Sequence, residues 1–172
     1  TLNLGVGFGF LNEDSDDTYL ARINANGTFD STFGTSGRKK IDTQESQVSS
    51  MAIHPGNKKI ALSFTIWTHD FYVMMLNENG TYDTTFSGDG IVQTDINGGH
   101  DASNTLAFQR FFINVGGYPA ISYKLVVGGI AWGSSSTEFD TALVRYNLNG
   151  ALDTTFGTNG KVRRALSYQR DG

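Results

Sequence analysis

The sequence predicts an all-β fold made of three consecutive antiparallel sheets, and three observations predict it. A long motif occurs three times, at residues 17–37, 70–90 and 140–160. Short runs of β-branched and aromatic residues alternate with turn residues, and the chain has 21 glycines but only two prolines. No segment combines a helical period with helix caps. Repeats of this length indicate one supersecondary unit that is stacked several times.

The second unit shows the predicted strands in order. Residues 48–53 form a first strand, and residues 59–67 form a second. The turn at 54–57 between them reads His-Pro-Gly-Asn, in which proline fixes one dihedral and Gly-Asn tolerates positive φ. Residues 71–76 form a third strand, and residues 90–94 form a fourth after a long loop. Four short antiparallel strands per repeat are typical of a β-propeller blade.

The loop between the third and fourth strands contains most of the repeated residues. Each loop begins with an Asn-Gly turn, at which positive φ costs little. A carboxylate follows, and we expect it to accept hydrogen bonds from backbone N–H groups just ahead of it. These loop carboxylates are Asp30, Asp83 and Asp153. An aromatic residue that we expect between adjacent sheets comes next, and these inter-sheet phenylalanines are Phe33, Phe86 and Phe156. The glycines predicted to turn the backbone into the fourth strand are Gly37, Gly90 and Gly160.

The repeated motif resembles the delta-60 repeat family of bacterial β-propeller-like modules. Its pattern is Asp-x-x-(Leu/Val)-x-(Arg/Met)-x-Asn-x-Asn-Gly-x-x-Asp-(Ser/Thr)-Thr-Phe-(Gly/Ser)-x-x-Gly, and residues 52–55 and 168–172 are similar to the family's hairpin entry. The sequence departs from the family at Met75, where arginine is usual, and at Ser87, where glycine is usual. The resemblance implies an association with large exported or surface proteins, and it implies no catalytic residues.

The repeat frame divides a single repeat domain, residues 1–172, into units at 1–58, 59–123 and 124–172. The chain is thereby opened inside a sheet, so we expect the strands at 1–10 and 161–169 to lack their hairpin partners. Three blades are too few to close a propeller. We therefore expect a partial ring that is completed by a second copy of the chain or by flanking repeats. A three-sheet β-prism is the alternative. The first residue is Thr1, which fits a piece of a longer protein.

The second unit differs from the others by an insertion at residues 111–123. Alternation on both sides of Gly-Gly-Tyr-Pro at 116–119 predicts a hairpin whose strands run past the sheet. The aromatic residues that it would present to a partner are Phe111, Phe112, Tyr118 and Tyr123. The alternative is that these rings pack on the neighbouring sheet.

A few other residues are candidates for binding a ligand or a metal. Trp67 and Trp132 occupy matching positions, where they stack on a sugar or cover the edge of the core. The acidic residues at 13–17 and the Ser-Gly-Asp-Gly at 87–90 offer oxygen ligands for calcium, but neither has EF-hand spacing, so both are expected to be turns. The chain has no cysteine, and its three histidines share no short spacing, so a zinc site is not indicated.

Composition narrows the class of function. A net charge of −4 gives no basic surface for nucleic acid, and no apolar run is long enough to span a membrane. We therefore expect no cofactor and a non-catalytic binding or adhesion module of an extracellular or cell-surface protein, with a protein or a glycan as its ligand. The alternatives are a lectin that uses the two tryptophans, a propeller hydrolase or lyase, and a structural spacer.

Overall fold

The computed structural model describes residues 9–10, 18–41, 47–66, 70–96, 98–132 and 139–165. These residues form eleven β-strands and contain no α-helix, which confirms the predicted all-β fold. Within these ranges there is accordingly no helix with the length and hydropathy of a membrane span.

The strands are arranged in three antiparallel meanders. The first sheet contains, in spatial order, β1 (Gly9–Phe10), β2 (Thr18–Ala21) and β3 (Arg38–Ile41). The second contains β4 (Gln47–Ile53), β5 (Ile60–Thr65), β6 (Phe71–Leu76) and β7 (Ile91–Thr94). The third contains β8 (Asp101–Val115), β9 (Tyr118–Trp132), β10 (Phe139–Tyr146) and β11 (Lys161–Ala165). Consecutive strands of each sheet are neighbours. Short turns join β4 to β5 and β8 to β9, whereas the long loops that contain the repeated motif join β2 to β3, β6 to β7 and β10 to β11.

The expectation of three four-stranded sheets is met only in part. The second and third sheets have four strands, whereas the described part of the first has three, and the described strands of the three sheets do not close into a ring. Both strands expected to lack a hairpin partner are paired on one side, Gly9–Phe10 with β2 and Lys161–Ala165 with β10. The rest of those expected strands, 1–8 and 166–169, lies outside the described residues.

The second sheet lies between the other two and is covered on both faces. Along β5, Ile60, Leu62 and Phe64 belong to the apolar cluster shared with the first sheet, whereas Ala61 belongs to the cluster shared with the third. The side chains of β6 alternate in the same way, and Met74 belongs to the cluster shared with the first sheet. Successive side chains point to opposite faces of a strand, so an apolar residue at nearly every position indicates a sheet buried on both sides.

The inter-sheet phenylalanines lie where successive sheets meet. Phe33 is fully buried in the cluster between the first and second sheets, and Phe86 is fully buried in the cluster between the second and third. Phe156 occupies the equivalent position in the third repeat and is only half-buried. The loop glycines Gly37, Gly90 and Gly160 have φ between 85° and 91°, which glycine adopts without strain.

Each loop carboxylate holds its own loop by the same local hydrogen bonds. In the second repeat, Asp83 Oδ1 accepts the backbone N–H of Thr85 at 3.2 Å and its hydroxyl at 2.6 Å. Asp30 and Asp153 bind Thr32 and Thr155 in the same way. The carboxylate thus fixes the two residues that lead into the inter-sheet phenylalanine.

The loop carboxylates pair with an arginine, a lysine or both. Arg22 Nε lies 2.9 Å from Asp30, and Arg145 Nε lies 2.8 Å from Asp153. In the third repeat, Lys124 Nζ also lies 3.6 Å from Asp153. The second repeat has Met75 at the arginine position, and Lys59, which immediately precedes β5 and is equivalent to Lys124, pairs with Asp83 at 2.5 Å. Burial works to raise the pKa of Asp83, but the Lys59 ammonium and the Thr85 donors outweigh it and hold the pKa below its usual value.

Replacing Lys59 by Met should leave the buried Asp83 carboxylate without a cation and lower the free energy of unfolding by about 1.5–3 kcal/mol. Adding Met75→Arg in the same chain should recover at least half of this loss, because arginine makes the equivalent ion pair in the other two repeats. Urea unfolding of the two single variants and the double variant measures the coupling free energy. Losses that simply add would show that Met75→Arg does not replace the lysine.

Truncating Phe86 to Ala should lower the free energy of unfolding by about 3–5 kcal/mol, because a fully buried aromatic side chain leaves a cavity. The matched variant Phe156→Ala removes the same atoms from a half-buried site and should cost less than about 2 kcal/mol. Both are measured by urea unfolding at low protein concentration. If the two variants lost the same free energy of unfolding, the conclusion that the third sheet buries Phe86 while Phe156 stays partly open would be wrong.

Candidate functional site

The most distinctive surface of the molecule is a hairpin that projects beyond the third sheet. Strand β10 pairs with β9 only as far as Tyr146 opposite Leu125, whereas β8 and β9 remain paired to Val115 opposite Tyr118. The distal part is therefore a two-stranded ribbon. Its turn is Gly116-Gly117, both with positive φ, and the Gly117 N–H donates to Asn114 Oδ1 at 2.8 Å. Tyr118 and Pro119, which the sequence suggested as part of the turn, belong to β9.

The ribbon exposes several large apolar side chains. Phe112 is 74% exposed and Tyr118 is 77% exposed, on opposite faces of the ribbon. Other exposed apolar side chains on the ribbon are Ile113, Val115 and Ile121. The Arg110 guanidinium lies 4.9 Å from the centre of the Phe112 ring. Phe112 and Ile121 share one face of the ribbon, and Ile113, Val115 and Tyr118 share the other. Both faces of this well-paired ribbon therefore offer apolar contact area with little backbone entropy to lose on binding.

The other two aromatic residues that the sequence placed on this hairpin lie at its base. Phe111 is half-buried, and the Arg145 guanidinium lies 5.3 Å from the centre of its ring. Tyr123 is also half-buried and packs edge-on against His54, with ring centres 4.6 Å apart. Of the four rings, two are thus free for contact and two attach the hairpin to the sheets.

His54 is the residue of the second sheet on which the base of the hairpin packs. Its ring is buried between Tyr123 and Phe108, and its Nδ1 accepts the backbone N–H groups of Gly56 and Asn57. Burial lowers the pKa of His54, and the Lys59 charge lowers it further. The ring serves as a packing surface, a role that the sequence did not indicate because Phe108 and Tyr123 lie more than fifty residues away.

The two tryptophans of the sequence analysis are not brought together as a described pair. Trp132, at the end of β9, is half-buried and packs edge-on against Phe139 with ring centres 4.7 Å apart. Its backbone N–H donates to the carbonyl oxygen of His100 at 2.9 Å. Trp67 and the acidic residues 13–17 lie outside the described residues. In the 87–90 segment, Asp89 Oδ1 accepts the Ile91 N–H at 2.8 Å and closes a turn.

A group of three carboxylates at one end of the second and third sheets was not found from the sequence. One oxygen each of Asp70, Asp95 and Asp101 lies within 4.8 Å of the others. Asp101 is buried, its Oδ2 accepts the Ile96 N–H at 2.6 Å, and its Oδ1 has no hydrogen-bond partner among the described residues. Burial raises the pKa of Asp101 to about 6, and the charges of Asp95 and Asp70 add to the effect. Asp70 precedes Asp95 by 25 residues and the three match no metal-binding motif, so the sequence did not mark them.

Comparison with known proteins gives one family. A family model described as a domain of unknown function (DUF5122) beta-propeller matches residues 6–33 and 124–156. Both matched segments end at an inter-sheet phenylalanine, so the same part of the repeat is matched twice. A comparison with curated proteins and one with solved structures return no match. The match and the antiparallel sheets together support a propeller-like repeat family.

Replacing Asp101 by Asn should stabilise the protein at pH 7 by on the order of 1–3 kcal/mol, because the buried charge and its repulsion by Asp70 and Asp95 are removed. The folded-state pKa lies above the unfolded value of 3.8, so the folded state holds the proton more tightly. The contribution of Asp101 is therefore most favourable below pH 4 and is lost as the pH rises to about 6.

The measurement is the free energy of unfolding of wild type and variant between pH 4 and pH 7.5. The difference between the two proteins should grow with pH through this window and then level off. Asp70→Asn removes one of the two neighbouring charges and should reduce the pH dependence without abolishing it. A constant difference across the window would contradict the assignment.

Proposed function

We propose that this chain is a non-catalytic binding module of an extracellular or cell-surface protein and that the projecting hairpin is its contact surface for a protein partner. The observation that carries the proposal is the exposure of Phe112 and Tyr118 on a ribbon that continues past its sheet. Aromatic side chains on a rigid support are enriched at the centres of protein interfaces. In repeat proteins, a unit that departs from the repeat is a good candidate for function.

We further propose that the sheets are delta-60 repeats and form part of a propeller ring. The repeated motif and the family match support this proposal. Burial of the second sheet on both faces favours a propeller over a three-sheet prism, because each sheet of a prism faces the common axis on one side only. The ring would be completed by further repeats of the same kind.

A protein partner suits the hairpin better than a glycan. Sugar sites need several convergent hydrogen-bonding groups beside an aromatic face, whereas the exposed large side chains of the ribbon are mainly apolar. Trp132, the described candidate for sugar stacking, is half-buried with Phe139 packed against its ring.

Replacing Phe112 and Tyr118 together by Ser should abolish partner binding while leaving the fold intact, because both side chains are mostly exposed. The probe is a random peptide library displayed on phage and selected on the wild-type chain. We expect most enriched peptides to bind the double variant at least tenfold more weakly. The control Phe139→Ser removes an exposed aromatic residue at the far end of β10 and should change peptide affinity little.

Equal affinity of the selected peptides for wild type and double variant would contradict the assignment of the hairpin as the contact surface. A glycan array probed with the same chains separates the lectin alternative. Glycan binding that survives loss of Phe112 and Tyr118 would favour a sugar site elsewhere on the molecule.

A further inference from the structure

The two internal interfaces between sheets are built from the same contact. The residue after the inter-sheet phenylalanine donates its backbone N–H to the asparagine carbonyl of the next repeat's Asn-Gly turn. The Gly34 N–H donates to the backbone carbonyl oxygen of Asn79 at 2.9 Å, and the Ser87 N–H donates to the backbone carbonyl oxygen of Asn149 at 2.9 Å. The same hydrogen bond at the same repeat position in both interfaces defines how one repeat seats on the next.

The glycine of each Asn-Gly turn provides room for this contact. A Cβ atom on Gly80 would lie 2.9 Å from the Phe33 ring, and a Cβ atom on Gly150 would lie 2.8 Å from the Ser87 nitrogen. Both glycines are buried under the preceding repeat. Each interface therefore joins two halves, a donor half around the phenylalanine and an acceptor half around the Asn-Gly turn.

The third repeat presents a donor half with no repeat seated on it among the described residues. Phe156 is half-buried where Phe33 and Phe86 are fully buried. Leu143 on β10 is likewise half-buried, although the equivalent residues of the first and second sheets, Leu20 and Val73, are buried. Gly157, which follows Phe156, is exposed.

The first repeat presents the matching acceptor half at the opposite end of the stack. Its turn, Asn26-Gly27, is exposed, and a Cβ atom on Gly27 would meet nothing within 4 Å. Gly27 has the same positive φ as Gly80 and Gly150, between 84° and 87°. The turn thus has the shape of the two covered turns but lies open.

We propose that the donor half around Phe156 binds the acceptor half at Asn26-Gly27 of a second copy of this chain. The proposal rests on the propeller-like arrangement put forward above and names the surfaces that complete it. A second copy is the occupant because each free surface matches the surface that the chain itself uses twice. Two copies joined head to tail at both ends give six sheets, which lies within the four to eight blades of known propellers.

The proposed hydrogen bond runs from Gly157 N–H to the Asn26 carbonyl oxygen of the partner copy. The phenylalanine at 156 would then lie against the partner's Gly27, as Phe33 lies against Gly80. Arg22 also donates from Nη1 to the carbonyl oxygen of Glu78 in the next repeat at 2.6 Å. Arg145 is its equivalent and would donate to the corresponding carbonyl of Ala25.

Paired cysteines test the contact, because the chain contains no cysteine of its own. Asn26→Cys with Thr158→Cys should give a disulfide between two chains under mild oxidation, seen as a band of doubled mass in a non-reducing gel. The matched control is Asn79→Cys with Thr35→Cys, which places the same pair across the first internal interface. This pair should crosslink within one chain and leave the mass unchanged.

Sedimentation of the full chain gives the second measurement. Wild type should sediment at twice the mass of one chain, and Leu143→Arg should shift it to the mass of one chain without unfolding it. The Phe112→Ser, Tyr118→Ser double variant should keep the doubled mass, so a failure of the hairpin proposal and a failure of this one are distinguishable. A single-chain mass for wild type, with the control disulfide formed and the 26–158 disulfide absent, would overturn the proposal.

Discussion

The fold depends on the contact through which one repeat seats on the next. A four-stranded sheet whose two faces are both apolar is not stable alone, because it must bury each face against another layer. In this chain Phe33 and Phe86 fill the space between successive sheets, and the following N–H groups bond to the next repeat at 2.9 Å. Stacking is therefore fixed by a directional bond as well as by apolar burial.

The loop carboxylates make this contact possible because they fix the loop that carries the phenylalanine. The cations that pair with these carboxylates differ between repeats. Asp30 pairs with an arginine, Arg22. Asp153 pairs with both an arginine and a lysine, Arg145 and Lys124. Asp83 pairs with Lys59, the lysine equivalent to Lys124. The second repeat lacks the arginine and keeps the lysine, so the lysine position alone supplies the cation that the third repeat draws from two positions. The repeat thus keeps its electrostatic arrangement while its sequence varies.

The hairpin is an extension of two strands beyond the sheet to which they belong. Strands β8 and β9 begin inside the third sheet, where they are held by the shared core, and then continue as a ribbon. Packing of Tyr123 and Phe108 on His54 ties the base of the ribbon to the second sheet. The exposed rings of Phe112 and Tyr118 are therefore presented from a support that two sheets share.

The sequence by itself determined the strands of the second sheet, the Asn-Gly turns, the loop carboxylates and the place of the hairpin. These features depend on dihedral preferences and hydrogen bonds among a few consecutive residues, so the local sequence predicts them. Only the tertiary structure decided that Lys59 pairs with Asp83, that His54 supports Tyr123 and that Asp70, Asp95 and Asp101 meet. It also decided that Phe86 is covered while Phe156 is left half-buried. The Lys59–Asp83 pair depends on the pairing of β5 with β6. The other outcomes depend on which sheet stacks on which, and their residues come together only once that stacking exists.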